Sequence, residues 1–279
     1  MFAVSVLIRN RNEGEHLYRL LTRLRQQHSK ILEIVVVDND STDASRHYSH
    51  EFGCRVVDLC AKDFTYGRAT NLGMEACKGD LVLMFSSHSI PLGNYFIDEV
   101  TPLFSNPQVA AVRIPIAANT KELGGVLPPP LNAESSVEEI FRRGPVASGC
   151  VIRRNVWLQH RFDETLGAAE DKEWAVRVLR SGIYIMPSVQ AAYCYNRSFG
   201  ELSWIQKLER EETAGLVAGN IKPRVSLKTT VFSILAAQRD ALRKARLEAH
   251  LYLFRTRLSR KAQRNTNHVK LNTENAKGF

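Results

Sequence analysis

Short, mostly apolar runs alternate along this chain with stretches in which apolar residues recur every three or four positions. The run Val4–Ile8 predicts a buried first strand. Leucines at helical spacing predict a helix over Gly14–Gln27, and the run Ile34–Val37 predicts a second strand. Ser41 and Thr42 are residue types that can cap a short helix after that strand.

The same alternation continues through the middle of the chain. It predicts further strands at 56–59, 81–85, 109–116 and 147–153, and helices at 68–77 and 170–181. Such alternation indicates an α/β, Rossmann-like fold with a mostly parallel sheet covered by helices on both faces. The Pro- and Gly-rich residues 117–135 predict a loop. Ligands of such sheets bind beyond the carboxyl ends of the strands, so we expect the functional residues there.

Charge divides the 279 residues into two parts. Residues 222–279 hold 14 Lys/Arg but three Asp/Glu, whereas the first 221 residues hold 24 basic and 26 acidic side chains. We therefore predict a folded domain over 1–221, where we expect the functional site, and a basic tail over 222–279. The tail is predicted to be helical over 227–258 and disordered at its end. Such a helix can lie on an anionic membrane surface or pack against the domain, and both interpretations stay open.

The remaining composition points to one compartment. No apolar run is long enough to span a bilayer, and the first residues lack the pattern of a secretion signal. The five cysteines are odd in number and lack metal-site or disulfide spacing. We expect a cytoplasmic protein, and contact with the inner face of the membrane is one of the two interpretations that stay open for its tail.

Acidic and polar residues follow the second predicted strand, in the segment Val37-Asp38-Asn39-Asp40-Ser41-Thr42-Asp43. An acid at the end of a central strand can accept hydrogen bonds from a ribose or a base. Turn formation and helix capping explain the later residues of the segment equally well. From the residues alone both interpretations remain open for Asp38.

Four segments in order resemble the family 2 glycosyltransferases of the GT-A fold. They are Asn12-Glu13 after strand one, Val-Val-Asp-Asn-Asp-Ser-Thr-Asp after strand two, Phe64-Thr65-Tyr66-Gly67-Arg68-Ala69-Thr70-Asn71-Leu72-Gly73, and Ala76-Cys77-Lys78-Gly79-Asp80. The resemblance covers about residues 1–200 and implies a sugar-transferring enzyme that uses a nucleoside-diphosphate donor of the UDP or dTDP type. It implies a donor site formed by Asn10, Asn12, Glu13, Asp38, Asp40, Arg68, Asn71, Ser86, His88 and Gly149.

One motif of the family is altered. Relatives carry Asp-x-Asp after strand four and hold Mg²⁺ or Mn²⁺ with it, whereas this chain has Ser86 and His88 at those positions. Hard cations prefer carboxylate oxygens, and an imidazole suits Mn²⁺ better than Mg²⁺. His88 as a ligand of a divalent ion, direct binding of the diphosphate by His88 and Arg68, and a site without catalysis all stay open. We expect a working site.

A second block supplies the candidate for catalysis. Phe162-Asp163-Glu164 followed by Glu170-Asp171 and Trp174 resembles the family's F-D-E…E-D-x-x-W block. In inverting members the Asp of this block is the general base, which implies Asp171 as base and Glu170 as its neighbour in the pocket. Acids in a first helical turn are also favoured by the helix dipole.

The predicted function is inverting transfer of a sugar to a glycan or lipid-linked acceptor, in the synthesis of a bacterial surface polysaccharide. A nucleotidyltransferase of related fold is an alternative, although the turn after strand one has a single glycine. A non-catalytic binder of nucleotide sugars or nucleic acid is another. We expect no specific nucleic-acid partner, because the chain shows no recognition module.

Overall fold

The computed structural model describes most of the first 195 residues. The described residues are 2–117, 129–187, 191–195 and the isolated positions 209, 210, 213, 215, 219, 238 and 246. By internal contacts the chain separates into two compact units, Met1–Pro223 and Arg224–Phe279. Only residues 238 and 246 of the predicted tail belong to this set, so the helix and the disordered end predicted for the tail lie outside the described residues.

Strands and helices alternate as predicted. The strands are β1 Val4–Asn10, β2 Glu33–Asp38, β3 Arg55–Asp58, β4 Leu81–Ser86, β5 Ser89–Pro91, β6 Val109–Arg113, β7 Gly149–Arg153, β8 Tyr184–Pro187 and β9 Tyr193–Tyr195. The α-helices are α1 Gly14–Arg25, α2 Ser45–Glu51, α3 Tyr66–Ala76, α4 Phe96–Val100, α5 Val137–Arg143, α6 Arg154–Gln159 and α7 Glu170–Arg180. Short 3₁₀ turns occupy Ala61–Asp63 and Thr101–Ser105.

Seven strands form the central sheet in the order β3-β2-β1-β4-β7-β6-β8. Strands β3, β2, β1 and β4 run parallel, β7 is antiparallel to both of its neighbours, and β6 pairs with β8 in parallel. A separate pair, β5 and β9, is antiparallel. The mostly parallel α/β sheet predicted from the sequence is confirmed.

Each face of the sheet buries its own core. On one face, alternate residues of β1 and β2 such as Leu7 and Val35 pack with residues of α3 and α7, including a fully buried Trp174. On the other face, Ile8 and Val36 pack with the leucines of α1 and with α4. Because both faces are covered, the strands read as continuous apolar runs, and only the strand ends are open to polar residues.

Several details differ from the sequence prediction. Helix α2 begins later than predicted, with Ala44 as N-cap and no side-chain cap, so Ser41 and Thr42 do not cap it. Strand β6 ends at Arg113, and the backbone of Leu131 pairs with Ile185 within the segment predicted to be a loop. Residues 118–128 of that loop lie outside the described set. In the described part of the chain, no helix has the length and apolar character needed to cross a bilayer.

Candidate active site

The carboxyl ends of neighbouring parallel strands form one edge of the sheet. Asn10 at the end of β1 pairs in register with Asp38 at the end of β2, and Arg9 pairs with Ser86 at the end of β4. Antiparallel β7 begins at this edge, where Gly149 lies opposite the end of β4. The topology therefore brings predicted site residues from separate segments to one edge.

A buried polar cluster joins β1 to β2. Asn10 Nδ2 donates to Asp38 Oδ1 and to Ser41 Oγ, both at 3.1 Å. Asp38 Oδ2 accepts the backbone N–H of Ser41 at 3.1 Å and lies 3.4 Å from Arg46 Nη1. Asn10 is 4% exposed, and its Oδ1 has no hydrogen-bond partner among the described residues. An unpaired buried acceptor is costly, so this oxygen is a candidate partner for a donor group of a ligand.

Asn39, the residue after β2, shares that property. Its side chain is buried, and its Oδ1 also lacks a partner within the described set. The sequence contained Asn39 inside the acidic segment but offered no reason to single it out, because an asparagine beside two aspartates is typical of a turn. Its burial is a result of tertiary packing.

Two other predicted donor-site residues are used by the turns themselves. Asn12 adopts a left-handed backbone conformation with φ 51°, and its Oδ1 accepts the N–H of Thr42 at 2.7 Å. Asp40 is also left-handed, and its Oδ2 accepts the N–H of Ala61 at 2.6 Å. That backbone hydrogen bond holds the pKa of Asp40 below its usual range. The donor-binding roles of Asn12 and Asp40 stay predictions.

Ser86 and His88 stand at the altered metal motif, and Glu13, from the turn after β1, lies beside His88. Ser86 Oγ lies 3.0 Å from Ser89 Oγ, and the ring of the buried His88 is perpendicular to that of Tyr195, with 4.6 Å between the ring centroids. His88 Nδ1 is 3.9 Å from Glu13 Oε1. Among the described residues no three His, Cys, Asp or Glu side chains are grouped to hold a metal ion. One carboxylate beside an imidazole does not fit the oxygen-rich shell of a hard cation.

Helix α3 carries Arg68 and Asn71 in different environments. Arg68 is exposed in the first turn, and no described residue forms an ion pair with it. Asn71 is buried and saturated. Its Nδ2 donates to Phe162 O and Glu164 Oε1, and its Oδ1 accepts from Trp157 Nε1 and Phe162 N, all at 2.9–3.1 Å. Asn71 thus ties α3 to the 162–164 segment, whereas Arg68 is placed to meet an anion at a helix N-terminus.

Gly149 is required by an internal contact. A Cβ at this position would overlap the ring of Tyr193, whose hydroxyl lies 3.1 Å from Ser148 Oγ. The family resemblance implied a place for Gly149 in the donor site, and that role stays a prediction. The close approach seen in the structure is that of a buried tyrosine ring.

The first turn of α7 holds the candidate base. Asp171 Oδ2 accepts the backbone N–H of Ala147 at 2.9 Å, and no described residue donates to Oδ1. Lys172 Nζ donates to the carbonyl oxygens of Gly144 and Pro145, both at 2.8 Å. Burial lowers the pKa of Lys172. The segment that leads into β7 is therefore bound to α7, and Asp171 is held at the same edge as the end of β4.

Glu170, next to the candidate base, is buried against a cation. Its Oε1 lies 2.9 Å from Arg9 Nη1. Burial first, and then the charge of Asp171, raise the pKa of Glu170, while Arg9 opposes the shift. Arg9 was not among the residues predicted for the site, although a charged residue at the end of an otherwise mostly apolar strand is an unusual feature that signals a paired group.

This arrangement has the parts needed for group transfer from a nucleotide. Asn10 and Asp38 present one unpaired oxygen and one carboxylate at the strand ends, and Arg68 presents a cation at a helix N-terminus. The free oxygen of Asp171 can accept a proton from a hydroxyl nucleophile.

Comparisons with known proteins agree with this description. The family model described as glycosyl transferase family 2 matches residues 5–155, more than half of the chain. No curated protein matches the sequence significantly. Three solved structures illustrate the structural likeness.

Pyrobaculum calidifontis mannosyltransferase PcManGT with GDP-Man and Mn²⁺ has a TM-score of 0.60 at 14% identity, over 81% of this chain and 66% of its own. S. aureus TarS 1–349 with UDP-GlcNAc has a TM-score of 0.57 at 18% identity, over 77% of this chain and 67% of its own. Mycobacterium tuberculosis glucosyl-3-phosphoglycerate synthase with Mn²⁺, UDP and glucosyl-3-phosphoglycerate has a TM-score of 0.51 at 17% identity, over 80% of this chain and 81% of its own. The match spans 40% of the longer TarS chain. These likenesses confirm the predicted GT-A architecture.

Proposed function

This chain belongs to the glycosyl transferase family 2, and on that premise we propose that it transfers a sugar from a nucleoside-diphosphate donor to a hydroxyl group of a glycan or lipid-linked acceptor. The observation that carries the proposal is the placement of Asp171. One carboxylate oxygen is anchored on the Ala147 N–H at the carboxyl edge of the sheet, and the other has no donor among the described residues. The family match disfavours the nucleotidyltransferase alternative.

In the proposed mechanism Asp171 acts as general base in a single displacement. Its Oδ1 removes the proton of the acceptor hydroxyl while that oxygen forms a bond to the anomeric carbon. The bond between the anomeric carbon and the diphosphate oxygen breaks, and the nucleoside diphosphate departs with the bonding electrons. Because attack and departure occur on opposite faces of the sugar, the configuration inverts.

We propose that the nucleoside contacts Asn10 and Asp38 and that the diphosphate lies near the first turn of α3. The unpaired Asn10 oxygen suits the imide N–H of uracil or thymine, which supports a UDP or dTDP donor. Arg68 and the N-terminus of α3 both favour an anion. The neighbours' complexes with UDP, UDP-GlcNAc and GDP-Man support a nucleotide-sugar donor in general.

The neighbours also bind Mn²⁺ or Mg²⁺ with their nucleotides. The single carboxylate and imidazole described here suit Mn²⁺ better than Mg²⁺. No step of the proposed mechanism is routed through a metal ion, because the described donor set does not fit a conventional site. Metal dependence is therefore part of the test.

We propose a cytoplasmic protein on the inner face of a membrane that contributes to a bacterial surface polysaccharide. The 14 Lys/Arg of residues 222–279 support attraction to anionic lipid headgroups. A membrane position would bring the enzyme to a lipid-linked acceptor. Partition of the full chain onto vesicles with and without anionic lipid, at low and high salt, tests this part separately.

A thermal-shift panel tests the donor proposal. The full chain is melted with UDP, dTDP, GDP, CDP and ADP, each with EDTA, Mg²⁺ or Mn²⁺. We expect UDP or dTDP to raise the melting temperature most, and Asp38→Asn to reduce that shift. The matched control is Asp58→Asn, which alters the other, exposed acid bound by Arg46. If no nucleotide raises the melting temperature, the proposal is wrong.

A further inference from the structure

Arg9 joins separate elements at the catalytic edge of the sheet. It lies near the end of β1, and its Nη1 donates to Glu170 Oε1 at 2.9 Å and to Thr70 Oγ1 at 3.1 Å. The same nitrogen lies 3.5 Å from the carbonyl oxygen of Tyr66, and the guanidinium lies over the Tyr66 ring at 5.2 Å from its centre. One side chain therefore links β1, the first turns of α3 and the first residue of α7.

Both members of the Arg9–Glu170 pair are shielded from water. Their side chains are 15% and 5% exposed, respectively. An exposed ion pair contributes little, but breaking a buried one leaves an uncompensated charge and is strongly destabilising. The geometry of this pair is therefore held far more firmly than that of a surface pair.

Helix α7 begins without a side-chain cap. Its N-cap is Ala169, which has a left-handed φ of 60° and no side chain that can accept a hydrogen bond. Instead, the side chains of three consecutive residues in its first turn bind groups outside the helix. Glu170 binds Arg9, Asp171 binds Ala147, and Lys172 binds two carbonyl groups of the preceding segment. Of these three side chains, Glu170 reaches the nucleotide half of the sheet.

We propose that Arg9 is a positioning residue for the catalytic carboxylate, acting through Glu170. The pair couples the end of β1, where Asn10 and the donor's nucleoside meet, to the first turn of α7, which carries Asp171. It keeps the base at a set distance from the bound donor. The inference rests on the proposed function, because it assumes that Asp171 is the base.

A positioning role of Arg9 affects kcat and leaves nucleotide binding unchanged, whereas a purely structural role would affect both. Loss of the link displaces Asp171 but leaves the nucleotide contacts in place. A displacement of about 1 Å costs up to about a hundredfold in rate, so we expect a fall in kcat of about tenfold to a hundredfold. The KM for the donor and the affinity for UDP should stay near those of the unaltered protein, since a lower kcat at constant KM marks an interaction used in the chemical step.

The test compares Arg9→Met, Arg9→Lys and the double variant Arg9→Met/Glu170→Gln in the full chain. The assay is release of UDP from a UDP sugar with water as acceptor, together with UDP affinity and thermal melting. Arg9→Lys keeps the charge beside Glu170 and should recover part of kcat. The double variant removes the unpaired buried acid and should recover stability, but not kcat.

The control is Arg177→Met, which breaks the Arg177–Glu173 pair further along the same helix. It should leave kcat unchanged. The proposal is overturned if the double variant regains kcat together with its melting temperature, or if Arg9→Met weakens UDP binding as much as it lowers kcat. Asp171→Asn is assayed in parallel. Full activity of that variant contradicts the base assignment itself, whereas an inactive Asp171→Asn beside a fully active Arg9→Met contradicts only the positioning role.

Discussion

The side-chain amide of Asn10 donates a 3.1 Å hydrogen bond to Asp38 across the ends of two neighbouring strands. Register pairs the same two residues, so both side chains leave the same face of the sheet at the same height. The bond orients the amide so that its second polar atom, Oδ1, is left without a protein partner within the described residues. A residue pair distant in sequence thus presents a defined acceptor beside a carboxylate.

We expect Asp38→Asn to weaken nucleotide binding. The change keeps the size of the side chain but removes the charge of the carboxylate that we propose to contact the nucleoside, and loss of a charged hydrogen bond costs about tenfold to a hundredfold in affinity. Titration calorimetry with UDP measures the effect. Asp58→Asn, whose side chain is 69% exposed and shares Arg46, should bind UDP as the unaltered protein does. Equal affinity in both variants would contradict a role for Asp38.

We expect Asp171→Asn to abolish most turnover without loss of donor binding. An amide cannot accept the proton of the nucleophile, and general-base catalysis contributes about 10²- to 10⁴-fold. The measurement is UDP release from a UDP sugar, with UDP affinity as companion. Glu173→Gln changes an acid of the same turn and is the control. If Glu173→Gln lowered turnover as much as Asp171→Asn does, the loss would come from the removal of negative charge on α7, and the assignment of Asp171 as base would be wrong.

Glu170 should make stability depend on pH in a specific direction. Burial raises its pKa in the folded state, so its contribution to stability is complete below the unfolded-state pKa and is lost as pH rises through the folded-state pKa. Glu170→Gln cannot ionise, so its free energy of unfolding relative to that of the unaltered chain should rise as the pH increases above the ordinary pKa of a glutamate, on top of a constant cost for the lost pair with Arg9. Urea unfolding at several pH values measures the difference, and a difference constant with pH would refute the prediction.

We expect substitution of Asn71 to lower the stability of the fold and substitution of Arg68 to weaken nucleotide binding. Asn71→Ala leaves the indole N–H of Trp157 and both backbone polar groups of Phe162 without a partner. We expect a loss of about 3 kcal/mol in the free energy of unfolding, because each unpaired buried group costs about 1–3 kcal/mol. Arg68→Gln should leave stability unchanged and weaken UDP binding. Urea unfolding and titration calorimetry with UDP measure both effects on both variants. If Arg68→Gln lowered stability and Asn71→Ala weakened only UDP binding, both assignments would be wrong.

The local pattern of apolar residues predicted the long, well-buried strands and helices of the domain. The apolar runs of β1, β2 and β4 and the leucine spacing of α1 each match an element of the structure. The strands are buried on both faces and α1 on one, and each kind of burial leaves its own pattern in the sequence. The short helices α5 and α6 were not predicted. Their seven and six residues are too few for a helical period to stand out, and packing stabilises them.

The sequence alone indicated the α/β class, the family and the strand ends at which the site lies, since apolar periodicity and ordered motifs are local properties of the chain. Tertiary structure decided how the side chains at those ends are used. It assigned Asn71 to the support of the 162–164 segment, placed the ring of Tyr193 against Gly149, and paired Arg9 with a glutamate 161 positions away. Hydrogen bonds and ion pairs between residues so far apart depend on strand order and register, which no local pattern of residues encodes.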